Sequence, residues 1–306
     1  MEEKKYTLGI LTYFKNERSI LYEWLTHYKK WGVDHVWLID NGSQDNYDIT
    51  KFIDSGFVTI YKEPKLGQRA SYGKYISKIK PEVKWLCVFD ADEFLYSKKS
   101  DNLKKILEED IDKKIQQILI QMTVYYPSVF EHPKSVIDTN IRRFKYDSSD
   151  HPKCIYNMNH LSKVDIHGIW DMLPIYGTNH MLHIPATSSL LCINHYRYMS
   201  FEYMYGIKEG RGGGVHKDKY RKGSKATILK MTNFEDDTYL RDKSKDILEE
   251  IKEHSMKPLT ELYPKSSWMK LKNNKIMYET FREKSKDILL KTDILEINQF
   301  INDLKK

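Results

Sequence analysis

Over its first half the chain alternates between two hydrophobic periods, and that alternation is what most narrows its fold. Leu8 to Phe14 is a short apolar run of the kind that makes a buried strand. Ile20, Leu21, Trp24, Leu25, Tyr28 and Trp31 then recur at helical spacing, and Gly32 closes that stretch. His35 to Asp40 reads as a second strand, ended by the turn residues Asn41-Gly42-Ser43. A short helix near Ile49 to Ile53, stopped by Gly56, leads to a third strand over Phe57 to Tyr61. The loop Pro64 to Gly67 opens a helix that ends before Pro81, and Trp85 to Phe89 is a fourth strand. A helix over Leu103 to Glu109 and a fifth strand over Gln117 to Tyr126 complete the pattern. Strands that alternate with helices require crossovers, so the expected class is α/β with a mainly parallel central sheet.

Ligands of such sheets bind beyond the carboxyl ends of the strands. Three polar clusters fall at those ends: Lys15-Asn16-Glu17, Asp40-Asn41-Gly42-Ser43 and Asp90-Ala91-Asp92. If Asp90 and Asp92 continue the strand, residues two apart point to one side. Two carboxylates side by side form a hard oxygen site suited to Mg²⁺ or Mn²⁺. They also sit at the mouth of the apolar run Trp85 to Phe89, where unpaired charge is expensive. Asp40 can accept a hydrogen bond from a nucleobase or ribose, or it can form an Asx turn over Gly42. Asn16 and Glu17 can likewise serve a ligand or cap the first helix.

These clusters sit within a longer resemblance. Asn16-Glu17, Leu21-Tyr22-Glu23-Trp24-Leu25, Gly32-Val33-Asp34-His35-Val36 and Asp40-Asn41-Gly42-Ser43-Gln44-Asp45 resemble the start of a family 2-like glycosyltransferase, more narrowly the family 92 group. The loop Gly67-Gln68-Arg69-Ala70-Ser71-Tyr72, the block Phe89-Asp90-Ala91-Asp92-Glu93-Phe94-Leu95, and Asn194-His195-Tyr196-Arg197 with Ser200, Glu202, Lys208 and Arg211-Gly212 match in order and spacing, so the similarity spans about residues 6 to 215. The resemblance implies a Rossmann-like GT-A fold with one nucleotide-sugar site. It implies transfer of a hexose from a nucleotide sugar, a UDP-sugar in this reading, to the hydroxyl of a glycan or glycoconjugate acceptor. It places Asp40 at the base, Asn16, Glu17, Gln68 and Arg69 near the donor, and Asp90 and Asp92 on a Mn²⁺ or Mg²⁺ ion and the diphosphate. His195 is the candidate third metal ligand, with His167 behind it. Arg69 suits a phosphate by charge and shape. Inverting transfer needs one carboxylate as base. Asp171, in a Gly-Ile-Trp-Asp loop whose aromatic can stack on a sugar, is one candidate; Glu131 and Glu202 are the others. The chain departs from the family after the fifth strand, where Tyr125-Tyr126-Pro127-Ser128-Val129-Phe130 replaces a glycine-rich acceptor loop.

Length and charge bound the remainder. The 306 residues suit a catalytic domain over residues 1–232 and a helical C-terminal appendage over 233–306, where Leu240, Ile247, Leu248 and Ile251 mark an apolar stripe among lysines. The net charge of +7 fits phosphate-bearing ligands or peripheral contact with an anionic membrane. No apolar run approaches the ~20 residues of a membrane span, and the start Met1-Glu2-Glu3-Lys4-Lys5 has no signal-peptide core behind it, so a cytoplasmic protein is expected. The three cysteines form no CxxC pair. No basic stripe interleaves with aromatics, which argues against nucleic acid. Two other functions compete: a histidine-rich metallohydrolase built on His167, His180 and His183, and a non-catalytic glycan-binding protein on the same fold.

Overall fold

The computed structural model describes residues 3–126, 132–144, 151–161, 163–165, 167, 180–200, 203 and 234–254. It divides into two compact units. The first comprises Met1–Val124, Asp147–His195 and Ser244–Ser255; the second comprises Tyr125–Tyr146, Tyr196–Lys243 and Met256–Lys306.

The first unit is an α/β layer structure with a mainly parallel sheet, as the alternating periods predict. Its strands are β1 (Tyr6–Phe14), β2 (His35–Asp40), β3 (Val58–Lys62), β4 (Val83–Val88), β5 (Glu93–Tyr96), β6 (Gln117–Ile120) and β7, which starts at Met122. The expected fifth strand is therefore two strands, broken at Gln121, whose backbone N–H bonds to Ile184 instead. Two more strands of this unit, β9 (Lys153–Asn157) and β10 (Met181–Ile184), lie in the irregular middle of the sequence, which did not reveal them as such. The seven-stranded sheet runs β10-β6-β9-β4-β1-β2-β3. β1 is parallel to both β2 and β4, β2 is parallel to β3, and β10 is parallel to β6; β9 alone runs antiparallel to its neighbours β4 and β6. Because β1, β2 and β4 point the same way, Phe14 pairs with Asp40 and Leu11 with Val88, and the loops that follow them share one edge.

A second sheet in this unit joins β5, β7 and β11 (Cys192–His195). β11 is antiparallel to β5, and the register sets His195 opposite Glu93. That single pairing returns His195, 102 positions after Glu93, to the end of the aspartate cluster.

The helix α1 (Arg18–Lys30) fixes β5 in place. Its apolar face, Ile20, Leu21, Trp24, Leu25 and Tyr28, is fully buried. The polar tips on that face end on β5. Trp24 Nε1 and Tyr28 Oη both donate to the Glu93 carbonyl at 2.8 Å, and Leu95 N donates to Tyr28 Oη at 3.0 Å. Gly32, at φ +81°, turns the chain out of α1 in the left-handed region where a side chain would strain it. Helices α2 (Thr50–Asp54) and α3 (Gln68–Ile79) provide the next two crossovers. A short helix α4 (Leu103–Lys105) runs into a π turn over Ile106–Asp110, within the span expected to be helical.

His27 is the one polar group on α1 that is wholly buried with an unmatched atom. Its Nε2–H donates to the Leu95 carbonyl at 2.8 Å, and Nδ1 has no partner. Burial depresses its pKa to about 3, against the small opposing pull of the Leu95 carbonyl. Between pH 6.5 and about 3 the unfolded chain binds the proton that the folded one refuses, so stability must fall as pH falls through that window. His27→Gln keeps a donor for Leu95 and removes the titration. We expect its urea midpoint to drop less between pH 7.5 and pH 5 than that of the wild type; equal drops would remove His27 from the acid response.

The second unit is small in its described part. The end of β7, Tyr125–Tyr126, pairs with β8 (Arg142–Phe144), which pairs antiparallel with β12 (Phe234–Asp236). The short helix α5 (Val136–Thr139) is capped by Ser135 Oγ, which accepts from Asp138 N; α6 (Tyr239–Lys243) follows β12. Of the expected C-terminal appendage, α6 and α7 (Lys245–His254) are described, and residues 255–306 lie outside the described residues. α7 clusters with the first unit and lies along α1. It buries Leu248 and Ile251, and its Glu250 accepts from Tyr22 Oη at 2.9 Å and Lys51 Nζ at 2.6 Å. No helix among the described residues is long and apolar enough to cross a membrane.

Candidate active site

The loops after β1, β2, β3 and β4 are cross-tied at the carboxyl edge. Asn16, held at φ +54°, donates its N–H to Ser43 Oγ at 3.0 Å, and its Oδ1 accepts from Gln44 N at 2.8 Å. Glu17 occupies the N-cap position of α1 without a side-chain cap; Asp45 supplies the cap from the neighbouring loop, accepting from Arg18 N at 2.7 Å. Asn41 Nδ2 donates to the Glu63 carbonyl at 2.9 Å. The first two expected clusters are thus one structure.

Asp40 resolves toward the turn reading in its geometry. It is 1 % exposed. Its Oδ1 accepts from Ser43 N at 2.7 Å across Gly42, which takes φ +72°. Its Oδ2 accepts from Tyr47 Oη at 2.8 Å and Lys62 Nζ at 2.6 Å. Burial alone would raise its pKa, but Lys62, Ser43 and Tyr47 outweigh burial and lower it. Asp40→Ala should therefore lower stability by about 1.5–3 kcal/mol, the worth of a hydrogen bond to a charged group. An unchanged urea midpoint would show that the carboxylate does not hold the turn.

The aspartate cluster differs from the extended expectation. Asp90 to Glu93 forms a turn, with Glu93 N donating to the Asp90 carbonyl at 3.2 Å and Asp90 N donating to Glu93 Oε2 at 2.9 Å. A turn does not point alternate residues one way, so the two aspartates part company. Asp90 looks toward α3 and β9: its Oδ1 accepts from Gln68 Nε2 at 3.2 Å and its Oδ2 from Lys153 Nζ at 2.7 Å. Gln68 also donates to Tyr72 Oη at 3.0 Å. Asp92 looks toward β11, with its Oδ1 3.5 Å from His195 Nε2.

Asp92, Glu93 and His195 each offer a ligand atom, and these atoms lie within 4.8 Å of one another. Asp92 is 8 % exposed and Glu93 fully buried. Two carboxylates and an imidazole are a donor set for a divalent cation such as Mn²⁺, so the residues present fit the group the sequence implied. Among the described residues this is the one cluster of at least three His, Cys, Asp or Glu with that spacing. His167 and His180 are engaged elsewhere, through Nδ1 with the carbonyls of Pro152 and Lys114, and they form no such cluster with His183 among the described residues.

Two members of the site were not singled out from the sequence. Glu93 follows the aspartates directly, within the block Phe89 to Leu95, but no role was assigned to it there. Burial pushes its carboxyl up to about 8, Asp90 and Asp92 push the same way, and Lys153 pulls it back. Lys153 opens β9, and its Nζ lies 3.0 Å from Glu93 Oε1 as well as on Asp90. Burial works against its charge, but the two carboxylates prevail and raise its pKa. Its only sequence signal is a lysine at the head of the apolar run Cys154-Ile155-Tyr156.

Arg69 is largely exposed and pairs with Asp165 at 3.3 Å. The three candidate bases, Glu131, Asp171 and Glu202, lie outside the described residues.

Comparison with known proteins agrees with the sequence resemblance. The model of glycosyltransferase family 92 matches residues 5–241. A glycosyltransferase family 92 protein of Oryza sativa subsp. japonica is 23 % identical over 247 residues, covering 79 % of this chain and 39 % of that protein. One of Ricinus communis is 22 % identical over 206 residues, covering 65 % of this chain and 37 % of that protein. The chain thus spans less than two fifths of the length of the curated relatives it matches. Among solved structures, S. aureus TarS 1–349 in complex with UDP-GlcNAc aligns over 62 % of this chain and 58 % of its own at 13 % identity and TM-score 0.39. GalNAc-T7 with UDP, GalNAc and Mn²⁺ aligns over 62 % and 43 % at 13 % identity and TM-score 0.39.

Proposed function

Because the chain belongs to glycosyltransferase family 92, we propose that it is a metal-dependent transferase that moves a hexose from a UDP-sugar to a hydroxyl of a glycan or glycoconjugate acceptor, with inversion. The observation that carries this reading is the approach of Asp92, Glu93 and His195 to within 4.8 Å of one another beside Asp90. A divalent cation at that grouping would offset part of the cost of burying its carboxylates.

In this reading Asp92, Glu93 and His195 hold Mn²⁺ or Mg²⁺ at the carboxyl edge of the sheet. A divalent cation there would offset the charge that builds on the diphosphate as the bond to the sugar breaks. The tied loops at Asn16, Asp40 and Ser43 form the wall for the nucleoside, with Asp40 acting through the turn it holds. Gln68 fixes Asp90, and Arg69 is free to exchange Asp165 for a phosphate at small cost, since an exposed ion pair is worth about 1 kcal/mol or less. One of Asp171, Glu131 and Glu202 takes the proton from the acceptor hydroxyl as it attacks the anomeric carbon. Residues 1–232 form the catalytic part and 233–306 the appendage, through which the chain would meet an anionic membrane peripherally.

Calorimetry of UDP with the purified chain tests the reading. UDP should bind in the presence of Mn²⁺ and weaken when the metal is chelated. Failure of UDP and of other nucleoside diphosphates to bind under both conditions would overturn it.

A further inference from the structure

Lys153 is the buried cation of this molecule's carboxylate turn, and nothing in the reaction as described uses it. Its side chain is 2 % exposed. It starts β9 in the middle of the seven-stranded sheet, opposite Ile120 of β6, with Cys154 opposite Val88 of β4. The backbone is therefore held on both sides, and the ammonium is delivered to one place. There it meets Asp90 Oδ2 at 2.7 Å and Glu93 Oε1 at 3.0 Å. Glu93 is thus shared: it belongs to the trio with Asp92 and His195, and it belongs to Lys153.

This sharing has two consequences. Asp90, Asp92 and Glu93 bring three carboxyl groups to the turn, and the Lys153 ammonium is set against two of them. An ammonium beside Glu93 also repels any second cation that approaches the same carboxylate. A diphosphate arriving with the metal adds negative charge that outweighs this repulsion.

We propose that Lys153 is a positioning residue of the cation site: it keeps Asp90 and Glu93 assembled before any ligand arrives, and it makes the site take its divalent cation together with a nucleoside diphosphate rather than alone. The inference rests on the metal-site reading given above. A purely structural Lys153 would support the fold and leave the preference for joint binding untouched.

The test is Mn²⁺ binding itself, followed by the electron paramagnetic resonance of the free ion, with and without UDP. The wild type should bind Mn²⁺ weakly alone and about tenfold or more tightly with UDP, a coupling of ordinary size. Lys153→Met should bind Mn²⁺ alone about tenfold or more tightly than the wild type, with a smaller gain from UDP. Lys153→Met/Asp90→Asn removes opposite charges together and leaves the trio intact, so it carries the comparison if the single variant does not fold. Equal Mn²⁺ affinity with and without UDP in the wild type would overturn the proposal. So would unchanged affinity for Mn²⁺ alone in a folded variant. Wild type that binds no Mn²⁺ even with UDP would overturn the metal site beneath it, a result distinct from Mn²⁺ that binds and ignores Lys153.

Discussion

Asp92→Asn is expected to keep the fold and lose about a thousandfold or more in transfer rate. The substitution preserves shape and removes one ligand charge from a site whose cation contributes several kcal/mol to stabilising the departing diphosphate, each 1.36 kcal/mol being a factor of ten in rate. Asp92 faces His195 at 3.5 Å and takes no part in the Asp90–Lys153 pair, so the loss should not spread to the sheet. Thermal unfolding of the variant should match the wild type within a few degrees. Turnover near the wild-type value would remove Asp92 from the metal site.

His195→Ala is expected to raise the Mn²⁺ concentration for half activity by at least about tenfold. Even outer-shell partners of metal ligands are worth about 10–100-fold in affinity, and a ligand should not be worth less. The ring is placed by register: Asn194 opposite Phe94 and His195 opposite Glu93 on β5. A structural histidine would give a different pair of results, a lowered melting temperature with an unchanged Mn²⁺ requirement. Both quantities measured on one variant separate the two roles. The neutral ring is the ligating form, so the Mn²⁺ requirement of the wild type should also rise in acid, and that rise should be smaller in the variant.

The parallel half of the fold was legible because its physics is local. Strands β1 to β4 and the helices between them each carry their own period, and Gly32, Gly42 and Gly56 mark turns that take positive φ. The antiparallel strand β9 was not legible, because a five-residue run with a buried lysine at its head has no diagnostic period. The split of Gln117 to Tyr126 at Gln121 was hidden for the same reason: both halves are apolar, and only their partners differ. Of the site, Asp92 drew notice by its place after a buried strand and His195 by resemblance, and the fold sets the two 3.5 Å apart. The geometry of the aspartates was not, since the argument from alternation holds only while the chain stays extended, and Asp90 to Glu93 turns. Glu93 and Lys153 escaped because charge buried by tertiary pairing leaves no mark on local pattern. Asp40 allowed two readings in the sequence, and its contacts with Ser43, Tyr47 and Lys62 show what the carboxylate does in the fold.

A donor screen tests the central claim most directly. The purified chain would be incubated with a panel of nucleotide sugars in Mn²⁺, and released nucleoside diphosphate measured. The account predicts release from a UDP-sugar, abolished by chelation, restored by Mn²⁺ or Mg²⁺, and absent in Asp92→Asn. Release that persists unchanged in chelator and in Asp92→Asn, or no release from any donor, would contradict it.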